Sequence, residues 1–261
     1  MTYCLGIKLK SGFVGISDTR ITSGSETAKA KKVFTVNKER HSFFIMTSGL
    51  RSVRDKAMTY FKEDIEKSDD SYNKLYKLVN AFSAKVKQAA NEDKASLKES
   101  GLSFNLFSII GGQLQDDDEH KIYLLYPEGN WIEVVEGSPF VIIGNNGYGK
   151  PILDRTIRYG SSMKFALRAG FLSFDATRIS ANDVDYPIDV VWYDKDSFNI
   201  IEKHYTKNEL QPISKLWNEK LRESINYLPE SWMDKLMDNG ITKDLEAIEK
   251  EHTDLISEDE T

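Results

Sequence analysis

Alternation of apolar and polar residues lays out the elements of the chain in order. From Tyr3 to Lys10, Leu5, Ile7 and Leu9 alternate with Gly6, Lys8 and Lys10. Ser11-Gly12 then turns into Phe13-Val14-Gly15-Ile16. A period of two broken by a glycine turn predicts a strand pair. The polar stretch from Asp18 to Ala30 reads as a connection to a short strand over Lys32–Val36. After the charged turn Asn37–His41, the apolar run Phe43–Thr47 is short enough for a buried strand, and Ser48-Gly49 ends it. The spacing then becomes helical. Val53, Ala57, Tyr60, Phe61 and Ile65 share one face of Arg51–Lys67. Leu75, Leu78, Val79, Phe82 and Val86 share one face of Tyr72–Leu97, with a cap-like turn, Ser68–Ser71, between the two helices.

The second half repeats the theme. Strands are predicted at Phe104–Gly111, Lys121–Tyr126, Trp131–Val135 and Phe140–Ile143, with turn chemistry at Pro127-Glu128-Gly129-Asn130. Pro151 suits a helix start, so helices follow over Pro151–Arg158 and Met163–Thr177. Strands at Asp189–Tyr193 and Asn199–Glu202 come next, and residues 207–255 read as C-terminal helices. Two antiparallel sheets packed face to face, each with a helix pair outside, bury all of these apolar faces. The expected fold is α+β, a four-layer αββα sandwich. A plain β-sandwich has no place for the long helices, and a parallel doubly wound sheet wants a helix after nearly every strand. The expected domains are 1–205 and a helical extension, 206–261, with an acidic tail.

Charge changes this picture in one respect. The 261 residues carry a net charge of −6. Residues 244–261 alone hold −7, leaving the remaining 243 at +1. A neutral body with an acidic end argues against a nucleic-acid partner, whose binding domain is strongly basic. Leu245, Ile248, Leu255 and Ile256 give the tail an apolar stripe that could pack on a neighbouring subunit. No window approaches the eighteen apolar residues of a membrane span, so no membrane partner is expected. The start lacks the features of a secretion signal. Cys4 is the single cysteine. It excludes an internal disulfide and fits a reducing cytoplasm.

Thr2 is the first candidate for chemistry. Threonine is small enough for aminopeptidase removal of Met1, which would put its own α-amino group beside its hydroxyl. That amine has an ordinary pKa of about 7.7–8.0, near enough to neutrality to act as a base on Oγ. The same dipeptide also begins many proteins without catalytic meaning. One hairpin later, Asp18 lies where the returning strand ends beside Thr2. Lys32 opens the next strand; held by Asp18, it would lower the hydroxyl pKa. Singly, Asp18 reads as a turn cap and Lys32 as a solvated strand end. Ser48-Gly49-Leu50 joins a strand to a helix, where a backbone N–H is a natural oxyanion donor, or merely an ordinary helix start.

Together, Thr2-x-x-x-Gly6, Ser17-Asp18-x-Arg20-x-Thr22, Lys32-x-Phe34 and Ser48-Gly49 resemble the proteasome β-subunit pattern of N-terminal nucleophile hydrolases. The opening Met-Thr-Tyr-Cys-Leu-Gly-Ile, Gly147–Arg155 and Pro187-Ile188-Asp189 resemble its Anbu branch, the bacterial proteasome-type peptidases. The likeness runs from Thr2 to about Glu202. It implies Thr2 as nucleophile and base, Asp18 and Lys32 as electrostatic partners, and the Gly49 N–H as oxyanion donor. Thr22 would pair its backbone with an extended peptide, and Ile21 and Thr47 would line the pocket for the side chain before the cut. Arg20 belongs to the motif. The place of a loop serine in proteasome subunits is taken by Tyr148. A later Asp and Ser fall within Ser180-Ala181-Asn182-Asp183, in different order. The likeness implies a threonine peptidase on peptide substrates, with no metal or organic cofactor. It also implies a homo-oligomer forming a ring or an open helical assembly. A catalytically silent scaffold subunit of the same fold is the alternative.

Two rival motifs are weaker. Gly144–Lys150 fits G-x-x-x-x-G-K, but Pro151 takes the place of the Mg²⁺-binding hydroxyl, so nucleotide binding is not expected. His41, His120, His204 and His252 are dispersed through charged turns without metal spacing and read as solvated residues. Asp116–Glu119 reads as a polar turn between strands, and Cys4 as a core residue.

Overall fold

The computed structural model describes residues 2–23, 26–67 and 72–234. Among these, the chain runs β1 (Tyr3–Leu9), β2 (Gly12–Asp18), β3 (Arg20–Ser23), β4 (Glu26–Lys29), β5 (Val33–Lys38), β6 (His41–Gly49), α1 (Arg51–Lys67) and α2 (Leu75–Glu99). It continues with β7 (Leu106–Gln113), β8 (Lys121–Leu125), β9 (Trp131–Glu133), β10 (Phe140–Gly144), α3 (Lys150–Thr156), α4 (Met163–Ser180), β11 (Ile188–Asp194), β12 (Ile200–Tyr205) and α5 (Lys207–Asn226). One five-stranded sheet has the order β10-β1-β2-β11-β12, the other β5-β6-β7-β8-β9. Every pairing in both is antiparallel.

Strand periodicity distributes the apolar residues over three cores. Tyr3, Leu5, Ile7 and Leu9 of β1, with Val14 and Ile16 of β2, pack on Leu153 of α3 and Ala166 and Phe174 of α4. Phe43 and Ile45 of β6, with Ile110 of β7, pack on Val53 and Phe61 of α1 and Leu78 and Phe82 of α2. The alternate positions Cys4, Phe13, Phe44, Met46, Ile109 and Val191 meet between the sheets. This is the expected four-layer αββα sandwich.

The described chain divides into a unit ending at Gln211 and a second beginning at Pro212. The first includes the start of α5, where the Thr206 N–H and hydroxyl both donate to Glu209 Oε2, a capping arrangement. The Ser68–Ser71 turn and the acidic tail lie outside the described residues.

Most predicted elements are observed within two or three residues of their expected ends. The exception is the stretch from Asp18 to Ala30, read as a connection. It contains the hairpin β3–β4, with Arg20 opposite Lys29 and Ile21 opposite Ala28. This hairpin forms a two-stranded sheet of its own, and its described side chains Arg20, Ile21, Ala28 and Lys29 belong to none of the three cores. Asp117 gives the acidic turn a definite role, since its carboxylate accepts from the Leu75 N–H at the start of α2 and from the Leu114 N–H just after β7.

One histidine departs from expectation. His120 is not solvated but fully buried, with Nε2 at 2.7 Å from the Leu9 carbonyl. That carbonyl can only accept, so Nε2 carries the proton of the neutral ring. Burial pushes the His120 pKa below its ordinary value. The folded state therefore resists a proton that the unfolded chain accepts at about pH 6.5, and stability falls as pH drops through that value. The urea midpoint is expected to decline between about pH 7 and pH 5. His120→Gln, which keeps a donor for Leu9, should flatten that decline.

Candidate active site

Antiparallel pairing brings several strand ends to one end of the sandwich. β1 starts there beside the end of β10, with Tyr3 opposite Gly144. β2 ends there, with Asp18 opposite Ile188 at the start of β11. In the facing sheet β5 starts after Lys32 and β6 ends at Gly49, opposite Leu106 at the start of β7. Thr2, Asp18, Lys32 and Gly49, up to 47 positions apart in the chain, thus share one end of the fold.

Asp18 is the centre of the arrangement. Its Oδ1 accepts from Lys32 Nζ at 2.6 Å and from the Tyr3 N–H at 2.8 Å. One oxygen therefore places the ammonium within two hydrogen-bond lengths of the peptide joining Thr2 to Tyr3. Asp18 is fully buried, Lys32 is 5% exposed and Thr2 7%. Burial is the dominant influence on the Asp18 carboxyl and pushes its pKa up, with Lys32 and the Tyr3 N–H pulling the other way. Cys4 stays in the core: it is fully buried, and desolvation pushes its thiol up to about 12, so it is no nucleophile near neutrality.

Gly49 and Gly144 shape the margins. Gly49 has φ +143°, and a Cβ there would meet the Asn105 carbonyl oxygen at 1.8 Å. The Thr47 N–H bonds the Lys32 carbonyl, and alternate residues of a strand direct their N–H groups to the same side. One step further along the β5–β6 register, Gly49 would face Ala30. Ala30, however, has turned away to donate to the Thr19 carbonyl. The Gly49 N–H therefore faces the end where Lys32 lies, beyond the last β5 partner. Gly144 has φ +89°; a Cβ there would lie 1.9 Å from the Thr2 carbonyl oxygen, which also accepts from the Asn145 N–H at 2.7 Å.

The other sequence-derived candidates are placed less centrally. Arg20 pairs with Asp185 at 3.4 Å, at the start of β3. Ile21 is half-buried on the same strand, and the backbone of Thr22 pairs with Thr27. Thr47 is buried on the face of β6 that Phe43 and Ile45 turn to the helices. Tyr148 is half exposed and makes no hydrogen bond to the cluster among the described residues. Ser180 ends α4 and Asp183 lies in the turn beyond it. Lys150 of the phosphate-loop motif pairs with Asp154 at 2.7 Å on the surface, following a strand of an antiparallel sheet, so the motif is a helix start. Among the described residues no group of acidic, histidine or cysteine side chains is arranged to hold a metal, and no helix is long and apolar enough to cross a membrane.

Sequence reasoning missed Glu202. Its carboxylate takes Lys31 Nζ at 2.5 Å and the Thr35 hydroxyl at 2.8 Å, gripping the segment on both sides of Lys32 from the opposite sheet. Its position on the inward face of β12, two residues after Ile200, was the available signal.

A fold of this kind, with buried charge gathered at the start of β1, defines a class. The chain belongs to the proteasome subunit family, whose model matches residues 2–175. Among solved structures it is similar to Anbu proteins. A Gly-1 mutant of Anbu from Hyphomicrobium sp. strain MC1 is 29% identical, with TM-score 0.80 over 87% of this chain and 98% of that one. Anbu, described as an ancestral beta-subunit, from Yersinia bercovieri is 25% identical, with TM-score 0.81 over 87% and 98%. The Anbu complex of Pseudomonas aeruginosa, a helical assembly, is 25% identical, with TM-score 0.81 over 87% and 97%. No curated sequence relative matches the chain.

The buried pair makes a direct prediction. Lys32→Met leaves Asp18 as an uncompensated buried charge and should lower stability by about 3–5 kcal/mol in urea unfolding. Adding Asp18→Asn should recover a large part of that loss.

Proposed function

We propose that the chain is a threonine-type peptidase, its nucleophile exposed by removal of Met1. The observation that supports this most is the shared Asp18 oxygen, which ties Lys32 to the backbone immediately after Thr2. In this mechanism the Thr2 α-amine takes the proton from Oγ as Oγ attacks the peptide carbonyl. Lys32, held by Asp18, stabilises the developing alkoxide. The Gly49 N–H donates to the oxyanion. The amine passes its proton to the leaving nitrogen as the C–N bond breaks, and water then hydrolyses the acyl ester. Thr22 would pair its backbone with an extended peptide, and Ile21 and Thr47 would border the side chain before the cut. Arg20, Tyr148, Ser180 and Asp183 are left as supporting residues.

Family membership and the helical assembly of the Pseudomonas aeruginosa complex support a homo-oligomer. We place the protein in the cytoplasm, with 206–261 as an extension of the peptidase domain. A catalytically silent scaffold remains the second reading. It is favoured by the position of Tyr148, whose half-exposed hydroxyl joins no network around Thr2.

Intact mass spectrometry of the purified chain should show loss of Met1. The Met-free chain should react covalently with a peptide epoxyketone, a probe that needs both Oγ and a free amine. The rate should rise with pH through a midpoint near or below about 8, where the amine loses its proton. Thr2→Ala should abolish the reaction. A Met-free wild-type chain that does not react would be a scaffold.

A further inference from the structure

Ser48 is a polar residue that the mechanism above leaves unused. It lies next to Gly49 on β6, and its parity with Phe44 and Met46 puts it on the face turned toward the other sheet. Its hydroxyl reaches the place where β10 passes the start of β1. A Cβ built on Gly144 would lie 3.2 Å from Ser48 Oγ and 1.9 Å from the Thr2 carbonyl oxygen. The missing side chain of Gly144 therefore opens a slot, and Ser48 Oγ enters it from the facing sheet, against the backbone of Thr2. Ser48 is only 9% exposed, yet no described residue bonds its hydroxyl. Ser48 Oγ is not sealed from solvent, so its bonding capacity stays available at this end of the fold.

We infer that Ser48 is a positioning residue for the terminal amine of Thr2, accepting a hydrogen bond from it so that the lone pair is turned toward Thr2 Oγ. The inference rests on the Thr2 peptidase reading and adds to it. The amine then has a fixed partner on β6, immediately before the proposed oxyanion donor, so one strand end orients the base and stabilises the charge that develops. Tyr148 is not required for this task. An acceptor for the amine also favours its protonated form, which raises its pKa.

The test uses the full Met-free chain and a peptide epoxyketone, with Ser48→Ala compared with wild type across a pH series. Loss of one hydrogen bond should slow labelling by about tenfold, and the midpoint of the pH profile should move down. Ser48→Cys, nearly equal in volume and a poor acceptor, should behave alike, and it decides the matter if the alanine variant does not fold. Equal rates and midpoints in the folded variant overturn the inference while leaving the Thr2 reading intact. A slower rate with an unmoved midpoint makes Ser48 a packing residue and also overturns it. If wild type itself fails to label, the Thr2 reading falls and this inference falls with it.

Discussion

The buried ion pair between Asp18 and Lys32 is the contact on which the site depends. Asp18 ends β2 in one sheet and Lys32 precedes β5 in the other, so the 2.6 Å bond joins the two halves of the sandwich at the end where Thr2 lies. Two charges taken out of water gain little net stability unless their remaining bonds are satisfied. Asp18 Oδ1 also accepts the Tyr3 N–H, which makes the start of β1 part of the same network, while Oδ2 is buried without a hydrogen-bond partner among the described residues. The pair is better understood as specifying position than as adding stability.

The rest of the fold holds that geometry from both sides. Glu202 grips Lys31 and Thr35, the residues that bracket Lys32. At the opposite end of β5, the Asn37 side chain bonds both the N–H and the carbonyl of Ile200, closing the sheets against each other. Gln113 joins the same closure through the Tyr193 hydroxyl and the Asp196 backbone. One end of the sandwich is thus sealed by neutral amides. The other carries the charged pair and the two glycine-lined strand ends.

Much of this was legible in the amino-acid order, for physical reasons that differ by element. The strands β1, β2 and β6 declared themselves because each contributes to a core on both faces, which makes their apolar content high. The hairpin β3–β4 was invisible because Arg20, Ile21, Ala28 and Lys29, its described side chains, join no core, and its strands pair through the backbone in a sheet of their own. Thr2 and Asp18 could be brought together from the sequence because strand ends in an antiparallel hairpin must coincide, whereas Lys32, before a strand of the other sheet, was proposed from the family resemblance. Glu202 was not found, since it acts across the gap between sheets and no local spacing reports such a partner. His120 was misjudged for a related reason: its charged neighbours Glu119 and Lys121 suggested solvent, while its own ring turns inward to the Leu9 carbonyl.

The central claim is that Thr2, freed of Met1, is nucleophile and base in one residue. Peptide mapping by mass spectrometry of the epoxyketone-treated chain tests it most directly. The account predicts that the labelled N-terminal peptide begins at Thr2 and carries the adduct on that residue through both oxygen and nitrogen. An adduct on any other residue, or one carried by a chain that still begins with Met1, would contradict it.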